Sequence, residues 1–564
     1  MASTSSLRLR RSEAQLHALA GVEREIRVND PNGRRKYLQD FSQAFQSYES
    51  VIDRQQLGAE VRRGDIVLIG DYHALPAAQR FAATLLEERA QPGDRPVVLG
   101  LETIFSRDQH ILDEWWRREI DAEELRQRIR FDLDWGYDWA PFYELLVTAR
   151  EHADAIYGLD CMPREDLRKI GARDRHAVHK LSEIRQRHPH AVMLVLFGES
   201  HLAPGHLPKV LREKLPEERV VTVLQNVDAL YWRAAGEPAE RVEAVRVSPD
   251  AVCVFNSTPL EKYENYRLHL SRWGRTDEEG PDLVPTIYNL IDSLLRFLDI
   301  DRYSSHNGTQ PRFLVDLMPE VYCRASDGRL RQLLSRHHAD GDETEAMVRH
   351  VEERGSVYLP QVNAFYVHEF NMMYAAEEAA RFLHHACRGL PAREKAAETG
   401  GSTTHFYVRT MEYALGYFGS RVLYPARPEA GGAGSRELPE EAPASQRKKT
   451  EASSQLLGYM LGNALYDAYL KGRVTRGMLR RWFLFHLEEP GKAKEAYREI
   501  AAKVRGHGKK LPASAPDSFP VAPASRRLSR GRPALGRWAR TPTGQPPGRR
   551  RYIKANANLD SRER

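Results

Sequence analysis

Short apolar segments alternate with longer amphipathic segments from residue 65 onward, and this alternation constrains the fold more than any other feature of the chain. It is typical of a parallel sheet that is covered by helices on both faces. The predicted strands are 65–70, 96–102, 155–160, 191–197 and 219–224. Further strands around 229–233, 244–247 and 252–255 are expected to form an antiparallel edge. The sequence therefore predicts an α/β layered domain with a mostly parallel sheet.

Four of these strands end in a carboxylate or in a carboxylate and a histidine. The strand ends are Gly70-Asp71-Tyr72-His73, Leu101-Glu102, Leu159-Asp160 and Gly198-Glu199-Ser200-His201. Because ligands of open parallel sheets bind at the carboxyl ends of the strands, we expect these side chains to surround one pocket. The candidate metal ligands are Asp71, His73, Glu102, Glu199 and His201, a donor set that suits a divalent ion. The same groups also suit acid/base chemistry.

The remainder of the chain differs in composition from this segment. Residues 1–60 are predicted to form an N-terminal helical extension, and residues 61–256 the α/β ligand-binding domain. Long amphipathic segments over 257–504, among them 362–385, predict an α-helical domain with a flexible linker near 425–454. Residues 505–564 contain 15 basic and 3 acidic residues with eight prolines and no apolar periodicity. They predict a disordered basic tail that could contact polyanions weakly.

Several classes of protein are excluded by what the sequence lacks. No segment is long and apolar enough to span a membrane. The N-terminus shows neither a signal peptide nor a lipobox, so we expect a cytoplasmic location. The four cysteines are far apart and form no CxxC pair, which argues against zinc ribbons, iron–sulfur clusters and disulfide scaffolds. P-loop, GxGxxG, GxSxG and HExxH motifs are absent from the sequence.

Four ordered segments carry a resemblance to a known family. They are IGDYHALPAAQRFAATLL, VVLGLETIFSRDQHILDEWWRREIDAEELRQRI, DWAPFYELLVTAREH and LFGESHLAPGHLPKVL. Together they resemble the ChaN family, the haem-binding uptake branch of the Tiki superfamily, over residues 64–256. The resemblance implies an α/β domain whose pocket uses His73, Glu102 and His201. Relatives include the Tiki proteins, which are metal-dependent proteases acting on Wnt proteins, and erythromycin esterase-like hydrolases.

Haem binding, which the resemblance implies, needs a flat apolar slot and an axial donor. The aromatic segment 131–143 offers Trp135 and Trp139 for the slot, and Tyr72 and Tyr137 are the nearest candidate oxygen ligands. The alternative interpretation is that these aromatic side chains only cover the sheet.

Three hypotheses for function remain open at this stage. The first is a protein that binds haem or a divalent metal ion (Fe, Mn, Co or Zn) at the strand ends. The second is a metal-dependent hydrolase, similar to a Tiki protease or an erythromycin esterase, with His73, Glu102 and His201 as catalytic residues. The third is a structural or interaction protein with an inert sheet edge, whose helical part serves protein assembly. In any of the three, the helical part is expected to pack on the α/β domain, as a lid over the strand ends or as a homodimer surface.

Overall fold

The computed structural model of the 564-residue chain describes most of the residues before 506. The described residues are 4–30, 36–91, 93–161, 170–239, 241–272, 282–302, 317–323, 327–335, 341–388, 402–429, 438–439, 451–487, 489 and 491–505. Most of the predicted linker near 425–454 and residues 506–564 of the predicted tail lie outside them. The chain forms two compact units. Among the described residues, one unit comprises Leu19–Asp282, and the other comprises the residues up to Ala18 together with those from Leu283 to Arg505.

The unit Leu19–Asp282 contains a sheet and the helices that connect its strands. The helices are α1 (Thr4–Asn29, which begins in the other unit), α2 (Lys36–Ala44), α3 (Arg54–Arg62), α4 (Pro76–Arg89), α5 (Gln109–Trp116), α6 (Ala122–Arg128), α7 (Phe131–Asp134), α8 (Trp139–His152), α9 (Ile170–Arg187), α10 (Leu207–Lys214), α11 (Asp228–Ala234) and α12 (Pro259–Arg272). The strands are β1 (Ser50–Ile52), β2 (Ile66–Asp71), β3 (Val97–Phe105), β4 (Ala155–Asp160), β5 (Val192–Gly198), β6 (Val220–Gln225), β7 (Ala244–Ser248) and β8 (Ala251–Val254).

The eight strands form one sheet in the order β1-β7-β8-β6-β2-β5-β3-β4. All neighbours from β8 to β4 pair in parallel, whereas β7 pairs antiparallel with both β8 and β1. The central strands are buried on both faces, as expected for a sheet between two helical layers. The prediction of a mostly parallel sheet with an antiparallel edge is confirmed.

Helices cover both faces of this sheet. On one face Leu85 of α4, Leu112 of α5 and Leu145 of α8 belong to a single buried apolar cluster. On the other face Leu181 of α9 and Leu211 of α10 belong to a second cluster. Each cluster removes a continuous apolar surface from water, which is the main force that stabilises such layers.

One predicted strand of this unit is wrong. Residues 229–233 lie within helix α11 rather than in a strand. Leu230 and Ala234, four residues apart, are both buried in the apolar cluster beside the sheet. That spacing places them on one face of a helix, and a short apolar segment does not distinguish a helix from a strand by its composition.

The second unit is mostly helical. Its helices after α1 are α13 (Val284–Leu298), α14 (Asp327–Ser335), α15 (Gly341–Arg354), α16 (Met372–Arg388), α17 (Ser402–Leu423), α18 (Glu451–Leu470), α19 (Arg476–Phe483) and α20 (Lys492–Arg505). A small sheet of β9 (Glu320–Cys323), β10 (Ser356–Leu359) and β11 (Ala364–Val367) accompanies them. The predicted mostly helical part is confirmed.

The predicted helix over 362–385 is wrong at its start. Residues Ala364–Val367 form β11, which pairs with β10 and β9, and the helix begins only at Met372. All four residues of β11 are buried, and the aromatic and β-branched residues Phe365, Tyr366 and Val367 favour a strand.

No helix in the described part of the chain combines the length and the apolar character that a membrane span requires.

Candidate ligand site at the strand ends

The strand order explains why the two histidine motifs meet. β5 lies between β2 and β3, and the last residue of β2, Asp71, is the register partner of Gly198 at the end of β5. The loop that follows β2 and the 3-10 turn Glu199–Leu202 that follows β5 therefore leave the sheet side by side. Residues 128 positions apart in the sequence become neighbours because the chain inserts β5 between two earlier strands.

The carboxylate of Glu102 lies between the two motif histidines. Nε2 of His73 is 3.6 Å from Oε2 of Glu102, and Nε2 of His201 is 3.7 Å from Oε1 of the same side chain. Glu102 is 2% exposed. The structure thus brings together the three residues that the resemblance implies for the pocket.

Each of these histidines has its other ring nitrogen next to a different carboxylate. Nδ1 of His73 is 2.7 Å from Oδ2 of Asp71, and Nδ1 of His201 is 2.5 Å from Oδ1 of Asp174. Such a contact fixes the ring orientation and favours a proton on Nδ1, which leaves Nε2 with its lone pair. In this tautomer each Nε2 lone pair lies on the side of Glu102, 3.6 or 3.7 Å from a carboxylate oxygen.

Arg173 and a backbone amide hold Glu102 in this position. The guanidinium of Arg173 donates to Oε1 of Glu102 and makes two bonds, of 2.9 and 2.8 Å, to the carboxylate of Asp160. The backbone N–H of Gly198 donates to Oε2 of Glu102. Burial by itself would lower the pKa of Arg173, but the charges of Asp160 and Glu102 outweigh it and raise the pKa. Arg173 therefore remains a cation inside the unit.

Gly198 is required at this point because no side chain fits there. A Cβ atom on residue 198 would lie 2.9 Å from Oε2 of Glu102 and 3.3 Å from Nε2 of His73. Gly198, the glycine of the second motif, thus permits the close approach of the sheet backbone to the side chains of Glu102 and His73.

Glu199 has a different environment from the other predicted ligands. Both of its carboxylate oxygens contact Nζ of Lys262 on α12, at 3.0 and 3.1 Å. Burial is the largest effect on this carboxyl group, and it raises the pKa of Glu199 to about 7 against the opposing effect of Lys262. Glu199 is therefore part of a buried ion pair.

Of the predicted cofactor-binding aromatics, Trp135 and Tyr137 are next to His73. Their ring centroids are 5.1 and 5.3 Å from the imidazole centroid. Trp139 instead packs on Phe131 and Tyr143, at 4.9 and 5.6 Å.

Tyr72 has a different surrounding from Tyr137. It is 4% exposed, and Nζ of Lys262 lies 4.6 Å from the centroid of its ring. Burial raises the pKa of Tyr72 well above its usual value. A phenol in this environment is a poorer source of tyrosinate than an exposed one.

Arg173, Asp174, Lys262 and His269 are residues of the site region that sequence reasoning missed. Arg173 and Asp174 lie near the start of the long polar helix α9, where adjacent charges usually face water. Lys262 and His269 are on α12, which the sequence pattern assigned to the helical domain. His269 stacks on Tyr137 at 4.3 Å, and burial lowers its pKa to about 3, so the ring is neutral at physiological pH. No sequence motif distinguishes these four residues from ordinary helix positions.

The divalent-metal interpretation finds no support in the side-chain geometry. Within the part of the chain that the structure describes, no group of three or more His, Cys, Asp or Glu side chains is arranged to hold a metal ion. Glu102 is bonded to Arg173 and to a backbone amide, and Glu199 is bonded to Lys262. These carboxylates already accept hydrogen bonds from protein groups.

Replacement of Arg173 by methionine is predicted to destabilise the α/β unit by about 3–5 kcal/mol, because it leaves Glu102 and Asp160 buried without their counter-charge. The double variant Arg173→Met/Asp160→Asn should recover part of this loss. Arg80→Met serves as the control, since the Arg80–Glu144 pair is largely exposed and should contribute less than about 1 kcal/mol. Urea unfolding, followed by tryptophan fluorescence, gives the free energy of unfolding of the three variants. An equal decrease in the free energy of unfolding for Arg173→Met and Arg80→Met would contradict the proposed role of Arg173.

His206 is predicted to make the stability of this region depend on pH. Its ring nitrogens lie 3.8 Å from a carboxylate oxygen of Asp174 and 3.5 Å from one of Asp40, and the interaction with the Asp174 carboxylate is the main cause that raises the pKa of His206. A raised pKa means that the stabilisation is fully present below the unfolded value of 6.5 and is lost as the pH rises through the folded value. His206→Gln should therefore lower Tm at about pH 5.5 and have a smaller effect at about pH 9. A difference in Tm that grows with pH would contradict this assignment.

Comparison with known proteins gives one family and one solved structure. Residues 57–202 match the model of the family described as "Haem-binding uptake, Tiki superfamily, ChaN". A solved structure entitled "Cofacial heme binding to ChaN of Campylobacter jejuni" is 14% identical, with 32% of this chain and 89% of that chain covered and a TM-score of 0.25. A comparison with curated proteins finds no match.

The matched segment begins in α3 and ends in the turn after β5. It therefore includes both histidine motifs, Glu102 and the two α9 residues that hold them. The match supports a function of the haem-binding or haem-uptake kind. Over residues 57–202, the chain matches the ChaN family, as the ordered set of four sequence segments predicted.

Proposed function

We propose that the α/β unit binds haem at the carboxyl ends of its strands, with His73 as the axial donor to the iron. The observation that carries the proposal is the environment of His73, which lies inside the segment that matches the haem-binding family. Asp71 contacts Nδ1 of this imidazole and fixes the orientation of the ring. Nε2 is then the nitrogen whose lone pair can bind the iron.

The contact with Asp71 is the arrangement expected of a ligating histidine. Such histidines almost always donate their second ring N–H to a carboxylate or a carbonyl, which orients the ring and raises its basicity. His201 has the equivalent contact with Asp174. The side chain of His73 is 10% exposed and that of His201 is 4% exposed. His73 is therefore the more accessible of the two donors.

The donor set fits haem better than it fits a bare metal ion. The porphyrin supplies four nitrogen ligands, so that the protein needs to add only one or two axial donors. A site with one accessible imidazole and no cluster of three free ligands among the described residues meets that requirement. Trp135 and Tyr137 beside His73 are aromatic and apolar, as a haem environment requires.

The residues of this chain would have distinct roles in such a site. His73 would ligate the iron, Asp71 would hold the imidazole in the Nδ1–H tautomer, and Gln79, which donates to Oδ1 of Asp71, would orient that carboxylate. When bound, the haem would supply a redox-active iron whose potential depends on the basicity of the axial imidazole.

Titration of the purified full chain with haemin is predicted to give a shifted Soret band that saturates at a fixed stoichiometry. His73→Ala should abolish the spectrum of the imidazole-ligated species and weaken binding at least about tenfold, because the axial bond is lost. His179→Ala is the control, since His179 is an exposed histidine on α9. Tyr137→Phe should shift the band less than His73→Ala, and Tyr72→Phe should leave it unchanged.

Two results would contradict the proposal. One is a haemin spectrum of the folded wild-type chain that does not saturate. The other is equal haemin binding by the His73→Ala and wild-type chains. A spectrum lost on replacement of Tyr72 or Tyr137, and retained in His73→Ala, would transfer the axial role to a tyrosine.

The second candidate function is hydrolysis by histidine acid/base catalysis. It is favoured by one observation, that two carboxylate-backed imidazoles face each other across Glu102. In this arrangement Nε2 of His73 or His201 could remove a proton from water, with Asp71 or Asp174 orienting the base.

If hydrolysis is the function, the full chain should hydrolyse activated esters in the presence of chelators. His73→Ala and His201→Ala should then each lower kcat/KM by about 10²–10⁴. His179→Ala should leave the rate unchanged. A folded chain that shows no turnover, or a rate that neither active-site substitution lowers, would exclude this function.

A further inference from the structure

Helix α12 contributes a buried cation to the strand-end region although it lies beyond the matched residues 57–202. Lys262 of this helix is completely buried, with its side chain 1% exposed. A buried ammonium is costly unless anionic and polar groups surround it. The groups around its ammonium therefore identify the elements that Lys262 connects.

The ammonium group of Lys262 contacts both histidine motifs. It donates to Oε1 and Oε2 of Glu199, the residue two positions before His201. It also lies 4.6 Å from the ring centroid of Tyr72, the residue directly before His73. A cation over the face of a tyrosine ring is attracted by the ring, most strongly when both are removed from water.

The remaining contacts of Lys262 anchor it to the end of the adjoining strand. Nζ lies 3.4 Å from the backbone carbonyl oxygen of Asn226 and 3.8 Å from Oδ1 of Asp228. Asn226 directly follows β6, which is the neighbour of β2. The cation therefore joins α12, the end of β6 and both motif loops.

We propose that Lys262 is a positioning residue of the site: it fixes the loop after β2 and the turn after β5 relative to each other, and so sets the distance between His73 and His201. It acts on the two histidines through their neighbours in the motifs, Glu199 and Tyr72. The expected consequence for haemin affinity rests on the proposed function, whereas the positioning itself does not.

The test measures the histidine ring protons of the full chain without haemin. The Nδ1–H proton of His201, which is directed at Asp174 at 2.5 Å, should give a downfield proton resonance that is assigned by its loss in His201→Gln. Lys262→Met removes the tether but leaves Glu199 unpaired and can unfold the unit. The double variant Lys262→Met/Glu199→Gln removes the tether and the charge of its hydrogen-bonded partner, while Asp228 keeps the hydrogen bond from the hydroxyl of Tyr263.

In the double variant we expect a native far-ultraviolet circular dichroism spectrum together with a shifted or exchange-broadened His201 resonance. Lys209→Met, at an exposed lysine of α10, is the matched control and should leave the resonance unchanged. An unchanged His201 resonance in the folded double variant would overturn the proposal. So would a double variant that has lost its native circular dichroism, since Lys262 would then be needed for the fold rather than for the placement of the site.

Haemin titration of the same variants separates this proposal from the proposed function. If the wild-type chain binds haemin, the double variant should bind it at least about tenfold more weakly, as expected when a donor is misplaced. If the wild-type chain does not bind haemin, the proposed function fails, and the ring-proton result still decides the role of Lys262.

Discussion

The strand-end region depends on the placement of one carboxylate, that of Glu102. It is held by the guanidinium of Arg173 and by the backbone amide of Gly198, and both motif histidines have Nε2 within contact distance of it. The glycine at 198 is needed because a Cβ there would collide with the same carboxylate. The strand order, helix α9 and Gly198 therefore all determine the position of the Glu102 carboxylate. A change in any one of them would move both histidines.

The charge balance around Glu102 also indicates what the region can accept. Asp71, Glu102, Asp160 and Asp174 are each 2% exposed or less, and the single positive charge of Arg173 is shared by two of them, Glu102 and Asp160. Two imidazoles therefore lie in an environment with an excess of buried negative charge. Such an environment favours a ligand with a cationic centre, such as ferric iron, and it equally favours a developing positive charge on an imidazole. The haem-binding proposal and the acid/base alternative are thus two uses of the same electrostatics.

Much of the sheet and the central three residues could be predicted from the sequence. The parallel strands follow from the short apolar segments of the sequence. Two of these segments end in Gly-acid-x-His, and a shared sheet edge brings such ends together. Strand order cannot be read in the same way, because it depends on which helices pack together, and it is the position of β5 that places His201 beside His73. Arg173, Asp174 and Lys262 could not be predicted, since a charged residue on a helix is usually solvated and only burial makes it a counter-ion. The sequence placed both Glu102 and Glu199 at strand ends, but β3 continues to Phe105, so that Glu102 lies within the strand whereas Glu199 follows β5. Their different surroundings are visible only in the structure.

The central claim is that His73 and His201 each donate an Nδ1–H to a carboxylate, which leaves the Nε2 lone pair of each ring on the side of Glu102. Nitrogen NMR of the full chain with ¹⁵N-labelled histidine rings, recorded without haemin at neutral pH, tests it most directly, because ring ¹⁵N shifts report which nitrogen carries the proton. Single His→Gln variants assign the two rings. The account predicts the Nδ1–H tautomer for both, since each Nδ1 lies at a carboxylate. The Nε2–H tautomer at either histidine would contradict it, because that nitrogen would then have no lone pair for iron or for a proton.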